Sequence, residues 1–262
     1  MDDIRPIVVR SHLSKIMKKA ILERIKSESP HLIQSQVYQT GFKEGKSTAI
    51  HASRLLNEVH GPKKRKFNLL IDLQKAYDSV DRGVLWKLLR KRCKTQQERS
   101  LVELIVKLHN DSTIQVGAHS MNAEMGLPQG SILSPVLFNV YLEEALKSSK
   151  KLVELIRRGY LLAFADDMLV MSNCQHEINE VIEELAKLNI NWNLRLNKKK
   201  SEILTSESLS EIGGVRCTKV VKYLGVKVTA DKKEQTKVAR EQIDKNVKVM
   251  RWRLGRADSD VI

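Results

Sequence analysis

The chain has 262 residues, with 46 Lys and Arg against 31 Asp and Glu, so its formal net charge is +15 and its pI is about 9.7. This length suits one large domain or two small ones. With 42% hydrophobic and 29% charged residues, the composition excludes a disordered or membrane-spanning chain. The basic excess favours a polyanionic partner, with nucleic acid ahead of an anionic membrane surface.

The cysteines and the first residues indicate a cellular setting. Cys93, Cys174 and Cys217 are far apart and form no C-x-x-C pair, which argues against a disulfide framework or a zinc site. The segment Met1–Arg5 has neither a secretory hydrophobic stretch nor the acid-poor look of a transit peptide. We therefore expect an intracellular, reducing location, the nucleus or cytoplasm rather than secretion, with an organelle left open.

Hydrophobic periodicity predicts the secondary elements in chain order. The predicted order is helices over about 13–25 and 47–59, a buried strand over 67–72, helices over 84–89 and 101–108, a weak strand over 113–117, a helix capped by Ser134, a hairpin over 160–171, a helix over 178–188, a hairpin over 220–229 and a basic helix over 232–255. Helices packed on a small antiparallel sheet give an α+β fold.

The positive charge is concentrated in residues 61–110, which hold thirteen Lys and Arg against five Asp and Glu. A run of four basic residues opens this stretch: Lys63, Lys64, Arg65 and Lys66. Such a run fits a solvated surface, a nuclear-import signal or a phosphate contact. Because the run abuts a predicted buried strand, we expect a nucleic-acid contact here at least as readily as an import signal.

Carboxylates interrupt apolar segments at two places. Asp72 ends the run Phe67–Ile71, and Asp166 and Asp167 stand side by side between two apolar strands. A buried, unpaired carboxylate is costly, and adjacent ones repel each other. A polar hairpin turn is one explanation of the pair, although it lacks the Asn-Gly or Asp-Gly residues that tight turns favour. A pair of Mg²⁺ ions would offset the repulsion and serve phosphoryl transfer on nucleic acid.

At these acids the sequence resembles reverse transcriptases, above all the non-LTR (LINE-type) retroelement enzymes, with group II intron maturases next. Six segments carry the resemblance in the family's order: 39–48 (fingers), 72–78 (motif A), 126–131 (motif B), 164–167 (motif C), 197–201 (motif D) and 222–226 (motif E). The resemblance implies a polymerase right-hand fold with a small antiparallel palm sheet. Its implied divisions are partial fingers over 1–66, a palm over 67–230 and the start of a thumb, or a basic C-terminal helix, over 231–262.

The resemblance also implies the metal site. Asp72 and Asp166 would bind two Mg²⁺ ions, or Mn²⁺, with the Leu73 carbonyl as a further ligand and Asp167 in support. Lys200 would donate a proton to the leaving pyrophosphate, although a solvated lysine fits the same position.

The implied substrate contacts come from other segments. Tyr77 would act as the steric gate that favours dNTPs, while Gln129 and Gly130 would contact the incoming nucleotide. Arg5, in Arg-Pro-Ile, would grip the triphosphate, since its guanidinium binds phosphate oxygens in a bidentate manner. The primer-grip hairpin would place Tyr223, Leu224 and Gly225 against nucleic acid.

The chain departs from the family pattern at both ends. Only four residues precede Arg5, and about one helix follows motif E. We therefore expect a minimal fingers–palm core with little or no thumb: a fragment, a truncated element copy or a domesticated derivative. A protein or ribonucleoprotein partner would then supply the missing parts.

Three functions remain open. The first is RNA-templated DNA synthesis, with an RNA template, a DNA or RNA primer and dNTPs as partners and no membrane. The second is a non-catalytic RNA-binding scaffold in a ribonucleoprotein. The third is an RNA-dependent RNA polymerase, against which Tyr77 and Ala165 count, because those enzymes usually have a carboxylate and a glycine there.

Overall fold

The computed structural model describes residues 11–34, 38–42, 45, 47–110, 113–116, 119–122 and 125–257. Arg5 and part of the predicted fingers segment lie outside these residues. In the described part of the chain, no helix is both long enough and apolar enough to cross a membrane.

The helices begin and end close to the predicted positions. Asp81 begins one of them, since its carboxylate accepts a 3.0 Å hydrogen bond from the Val84 N–H. Ser134, predicted as a cap, is instead the first helical residue, and its hydroxyl donates to the Pro128 carbonyl at 2.9 Å. The helices are α1 (His12–Glu28), α2 (Thr48–His60), α3 (Arg82–Arg92), α4 (Gln96–Asn110), α5 (Ser134–Lys147), α6 (Lys150–Arg157), α7 (Gln175–Trp192) and α8 (Lys232–Ala257), with a 3-10 turn at Pro30–Leu32.

One mixed, mostly antiparallel sheet has the strand order β5-β6-β1-β8-β10-β9, and three separate pairs are β2-β7, β3-β4 and β11-β12. In the main sheet only β8 and β10 run parallel. The strands are β1 (Phe67–Ile71), β2 (Leu73–Gln74), β3 (Thr113–Val116), β4 (His119–Asn122), β5 (Leu161–Phe164), β6 (Asp167–Ser172), β7 (Arg195–Leu196), β8 (Glu202–Thr205), β9 (Glu211–Ile212), β10 (Val215–Thr218), β11 (Val220–Tyr223) and β12 (Val226–Thr229).

Both faces of this sheet are covered, which explains the uninterrupted apolar run of β1. Successive strand residues point to opposite faces. Phe67, Leu69 and Ile71 join the large core formed with α1 and α3–α7, whereas Leu70 joins a second cluster with α2 and the β11-β12 hairpin. All five residues of β1 are therefore buried.

The α+β expectation is confirmed. The predicted strand at 67–72 and both predicted hairpins are present, whereas α6 and the strands β2, β4 and β7 to β10 were not predicted. The strands β8, β9 and β10 are only two to four residues long and each contains a charged residue, so they lack the apolar run that marked β1.

Candidate active site

The register of the main sheet brings the predicted acids together at one end of its central strands. Ile71 pairs with Met168 on β6, so continuing the register by one residue places Asp72 opposite Asp167. On the other side of β1, Leu70 pairs with Glu202, and the Asp72 N–H donates to Ser201 Oγ at 3.0 Å, so the segment that carries Lys200 also reaches Asp72. Strand pairing thus assembles residues that are more than 90 positions apart in the sequence.

A large open cleft of about 1510 Å³ lies at this end of the strands. It collects predicted site residues from the segments of motifs A, B, C and D, together with Phe42 from the fingers segment. Its lining consists of Phe42, Asp72, Leu73, Gln74, Lys75, Ala76, Tyr77, Asp78, Gln129, Gly130, Ser131, Ser134, Pro135, Asp166, Arg195, Leu196, Asn197, Lys198, Lys199 and Lys200.

The Asp72 carboxylate is held by a residue to which the sequence analysis gave no role. The Asn197 side-chain amide donates to Asp72 Oδ2 at 2.8 Å, and the Asn197 backbone N–H donates to the Asp72 carbonyl at 2.9 Å. Ser201 Oγ accepts from the Asp72 N–H at 3.0 Å. Both residues lie close to the predicted Lys200 in the sequence, but only the fold shows that they meet Asp72.

Tyr77 lies at the cleft wall with its ring stacked on that of Phe138, the centroids 4.8 Å apart and the planes at 20°. Burial raises the pKa of the Tyr77 hydroxyl above its ordinary value, and the nearby Asp166 carboxylate raises it further. The stack fixes the ring, and the hydroxyl stays protonated close to the carboxylate.

The loop of motif B is docked against motif A by backbone hydrogen bonds. The Leu127 N–H donates to the Tyr77 carbonyl at 2.8 Å, and the Gly126 N–H donates to the Val80 carbonyl at 2.9 Å. Arg82 Nε donates to the Gly126 carbonyl at 2.6 Å. These bonds hold the following residues, Gln129 and Gly130, at the cleft wall.

Several residues at the cleft and its neighbouring turns have an unusual backbone conformation. Phe42, Lys75, Ala165 and Leu224 all have positive φ although none is a glycine. Such residues are uncommon and are retained where the surrounding structure fixes them, often at functional sites. Ala165 precedes Asp166 directly, so the conformation of one strained residue determines where that carboxylate stands.

The basic residues of the cleft differ from those predicted to bind nucleic acid. Lys75, Arg195, Lys198, Lys199 and Lys200 line the cleft, whereas the run 63–66 precedes β1 at the opposite end of that strand from Asp72. The pairing of the strands, rather than nearness in sequence, therefore determines which basic side chains share the cleft with Asp72 and Asp166.

Within the run 63–66, two side chains have protein partners. Arg65 forms a 3.4 Å ion pair with Glu58, a hydrogen bond with the Tyr160 hydroxyl and a stack over the Tyr160 ring. Lys66 Nζ lies 3.5 Å from Glu207. Nucleic-acid contact by Lys63, Lys64, Arg65 and Lys66 stays a prediction, but at a surface outside the cleft.

The predicted primer-grip hairpin divides its residues between core and surface. Tyr223 is only 3% exposed and packs in the second cluster, with its hydroxyl 3.4 Å from His51 Nδ1. The expectation that the Tyr223 ring faces nucleic acid is therefore corrected. Leu224 and Gly225 form the turn, where Gly225 is exposed.

The donor chemistry of the cleft fits a divalent cation completed by substrate. Within the described residues, no group of three or more His, Cys, Asp or Glu side chains forms a ready-made metal site. Asp72 and Asp166 both line the cleft. Mg²⁺ usually takes one or two carboxylates together with substrate phosphates, so two acids in an open cleft match that ligand set.

The chain is similar to polymerases of mobile elements. It is 26% identical to the RNA-directed DNA polymerase of the mobile element jockey of Drosophila funebris, over 86% of this chain and 27% of that protein. It is 25% identical to the Pol polyprotein of the retrotransposable element R2 of Popillia japonica, over 85% of this chain and 32% of the polyprotein. The chain thus spans about a quarter to a third of the length of these relatives.

Solved structures show the same fold. Telomerase from Candida albicans, in complex with a fragment of telomeric RNA, matches with a TM-score of 0.56 and 13% identity, over 83% of this chain and 36% of telomerase. Apo telomerase from Candida tropicalis matches with a TM-score of 0.57 and 13% identity, over 83% of this chain and 39% of that protein. The predicted right-hand polymerase fold is therefore confirmed at the level of fold.

The sequence also matches a protein family directly. Residues 1–228 match the family described as reverse transcriptase (RNA-dependent DNA polymerase). This match covers all six motif segments, and the similar mobile-element proteins confirm the predicted resemblance to non-LTR retroelement enzymes. The chain belongs to the reverse transcriptase family.

Proposed function

We propose that this chain is the fingers–palm core of an RNA-directed DNA polymerase, which transfers dNTPs onto a primer 3′-hydroxyl paired with an RNA template. The observation that carries the proposal is the placement of Asp72 and Asp166 in one cleft with the motif B loop and a row of lysines. In this view residues 1–66 form partial fingers, 67–230 the palm and 231–262 the start of a thumb or a basic helix.

The proposed chemistry gives a role to several residues in and beside the cleft. Asp72 and Asp166 would hold two Mg²⁺ ions, or Mn²⁺, with the Leu73 carbonyl, while Asp167 supports them. Bound metal would supply activation of the primer hydroxyl and charge stabilisation at the leaving pyrophosphate. Asn197 orients the Asp72 carboxylate for this task. Lys200, at the cleft rim, would donate a proton to pyrophosphate.

Substrate selection would fall to residues of motifs A and B and to Arg5. The Tyr77 ring, held by Phe138, would exclude a ribose 2′-hydroxyl. Gln129 and Gly130 would contact the incoming nucleotide, and Arg5 would grip its triphosphate. A Tyr77→Ala variant should then incorporate rNTPs in competition with dNTPs. If its ratio of rNTP to dNTP use equals that of the unchanged chain, the gate assignment is wrong.

Primer extension on an RNA template with Mg²⁺ and dNTPs tests the proposal. The unchanged chain should extend the primer, and Asp166→Asn should lower extension by at least about 100-fold, since loss of a metal ligand removes stabilisation made in the transition state. Glu183→Gln is the matched control, because it also removes one carboxylate, on the exposed side of α7. Equal extension by Asp166→Asn and Glu183→Gln contradicts the proposal.

The scaffold alternative predicts a different pattern in the same assay. A non-catalytic chain would bind RNA with salt-dependent affinity and incorporate no nucleotide with either Mg²⁺ or Mn²⁺. The telomerase likeness is a likeness of fold at 13% identity and favours neither function. We favour catalysis, because the acids, their orienting amide and the gate ring are brought together in one cleft.

A further inference from the structure

A short piece of the fingers segment lies along the edge of β5. The Thr40 N–H donates to the Ala163 carbonyl at 3.0 Å, and the Ala163 N–H donates to the Tyr38 carbonyl at 2.8 Å. These bonds form a parallel bridge between Gln39 and Ala163. The segment therefore pairs with β5 through one bridge, beside the turn that carries Asp166.

The side chain of Gln39 continues this contact into the turn itself. Gln39 Nε2 donates to the Ala165 carbonyl at 3.0 Å, and Gln39 Oε1 accepts from the Ala165 N–H at 2.9 Å. The same Oε1 atom accepts from the Gly41 N–H at 2.9 Å. Gln39 is 1% exposed. One buried amide thus satisfies both backbone polar groups of Ala165.

The backbone conformation of this turn is unfavourable for a residue with a side chain and has to be stabilised by its surroundings. Ala165 and Asp166 form the two-residue loop between Phe164 and Asp167, and only Ala165 has positive φ, at 58°. That pattern is typical of a type II′ turn, in which the first loop position favours glycine. A residue with a Cβ holds this conformation only where its surroundings fix it.

Gly41 allows the fingers segment to lie directly against the backbone of Ala165. A Cβ at position 41 would stand 2.3 Å from the Ala165 nitrogen, which is well inside van der Waals contact. The Gly41 carbonyl in turn accepts from the Asn139 side chain at 2.9 Å. The fingers segment, the turn and α5 are therefore joined through one hydrogen-bonded chain.

We propose that Gln39 is a positioning residue for the candidate catalytic turn: it holds Ala165 in its left-handed conformation and thereby fixes the place of the Asp166 carboxylate. Gln39 acts through its two hydrogen bonds with the backbone of Ala165. The catalytic consequence rests on the proposed function, whereas the structural claim stands on the turn alone.

The structural claim is tested by hydrogen–deuterium exchange resolved at the Ala165 amide. Gln39→Ala should raise exchange there by at least about tenfold, because the amide loses its acceptor. Gln39→Glu, which keeps the acceptor oxygen and loses the donor, should give an intermediate increase. Asn68→Ala is the matched control, since Asn68 is also a 1% exposed amide and donates to the Arg65 carbonyl at the far end of β1. Unchanged exchange at Ala165 in Gln39→Ala, or an equal rise in Asn68→Ala, overturns the proposal.

The catalytic consequence is tested by steady-state kinetics in two backgrounds. Gln39→Ala should lower kcat by about 10- to 100-fold with less than about a threefold change in the KM for dNTP, since the reacting groups are misplaced rather than unbound. In an Ala165→Gly background the turn adopts its conformation without help from Gln39. The decrease in kcat caused by Gln39→Ala should then be at least about threefold smaller than in the unchanged background. An equal loss in both backgrounds contradicts a positioning role. If the unchanged chain incorporates no nucleotide while the exchange result holds, the proposed function fails and the structural claim stands.

Discussion

Gly126 lies directly against the backbone of Asp78. A Cβ built on Gly126 would stand 2.9 Å from both the Cα and the carbonyl oxygen of Asp78, and Gly126 has a φ of +80°. The loops of motifs A and B therefore meet backbone to backbone, with no room for a side chain between them. This contact brings together the segments that carry Tyr77 and Gln129, both of which line the cleft.

Replacing Gly126 should be more costly than replacing another glycine of similar conformation. Gly126→Ala adds a backbone clash to the strain of positive φ, so we expect a loss of about 2–4 kcal/mol in the free energy of unfolding. Gly159→Ala is the control, since Gly159 has a φ of +71° and a Cβ there would have nothing within 4 Å. This variant should lose only about 1–2 kcal/mol in the free energy of unfolding. Urea denaturation measures both. Equal losses would show that the approach to Asp78 is not tight.

Removing the amide that holds Asp72 should impair catalysis without unfolding the chain. A hydrogen bond to a charged group contributes about 1.5–3 kcal/mol, so Asn197→Ala should lower kcat by about 10- to 150-fold. Asn179→Ala is matched, because Asn179 also donates to a carboxylate, that of Glu183 at 2.7 Å, on α7. Single-turnover incorporation compares the two variants. Wild-type rates in Asn197→Ala would show that Asp72 needs no orienting partner.

Much of this arrangement could be predicted from local sequence. The apolar run that ends in Asp72 and the acidic pair between two apolar strands both indicated the site, because carboxylates in such places need a chemical reason. Asn197 and Gln39 could not be found in this way, since a single amide carries no periodic or charge signal. Their roles depend on strand pairing over 125 and 126 positions.

The basic residues show the other limit of sequence reasoning. The run 63–66 is close to Asp72 in sequence, but β1 separates the two in space, whereas the lysines at 198–200 reach the cleft through β7 and β8. Tyr223 was likewise assigned to a surface from its motif alone. Its burial follows from packing between α2 and the main sheet, which the hairpin sequence does not reveal.

Nucleic-acid binding should depend on the cleft lysines more than on the run before β1. Each lost phosphate contact lowers the slope of log Kd against log salt concentration by about 0.7–0.9. Lys75→Gln with Lys199→Gln should therefore reduce the slope by about 1.4–1.8 for a primer–template duplex. Lys63→Gln with Lys64→Gln removes the same charge and should change it by less than about 0.5. A larger change in slope for the Lys63 and Lys64 variant than for the Lys75 and Lys199 variant would place the nucleic acid at the surface beside Arg65.

Stability should fall at alkaline pH because four tyrosines resist ionisation in the folded chain: Tyr141 and, with larger shifts in pKa, Tyr38, Tyr77 and Tyr223. Burial raises the pKa of Tyr38, Tyr77 and Tyr223, with further contributions from Glu143, Asp166 and Asp167 respectively. Their contribution is fully present below the unfolded pKa of about 10 and is lost as the pH rises above it towards the folded values.

Urea denaturation followed across the pH range measures this effect. The midpoint should stay level to about pH 9 and fall from about pH 10 upwards, less steeply in Tyr77→Phe. Tyrosinate absorbance of Tyr38, Tyr77 and Tyr223 should appear only together with unfolding. Its appearance near pH 10 in a chain that remains folded and equally stable would contradict the buried environment of these rings.

The central claim is that Asp72 and Asp166 act as one site, and a double-mutant comparison of single-nucleotide incorporation tests it most directly. Asp72→Asn and Asp166→Asn should each lower the single-turnover rate by about 1,000-fold or more, and the double variant should be no slower than the slower single variant, because groups that act as a unit are not additive. Wild-type rates in either variant, or losses that multiply in the double variant, would contradict the account.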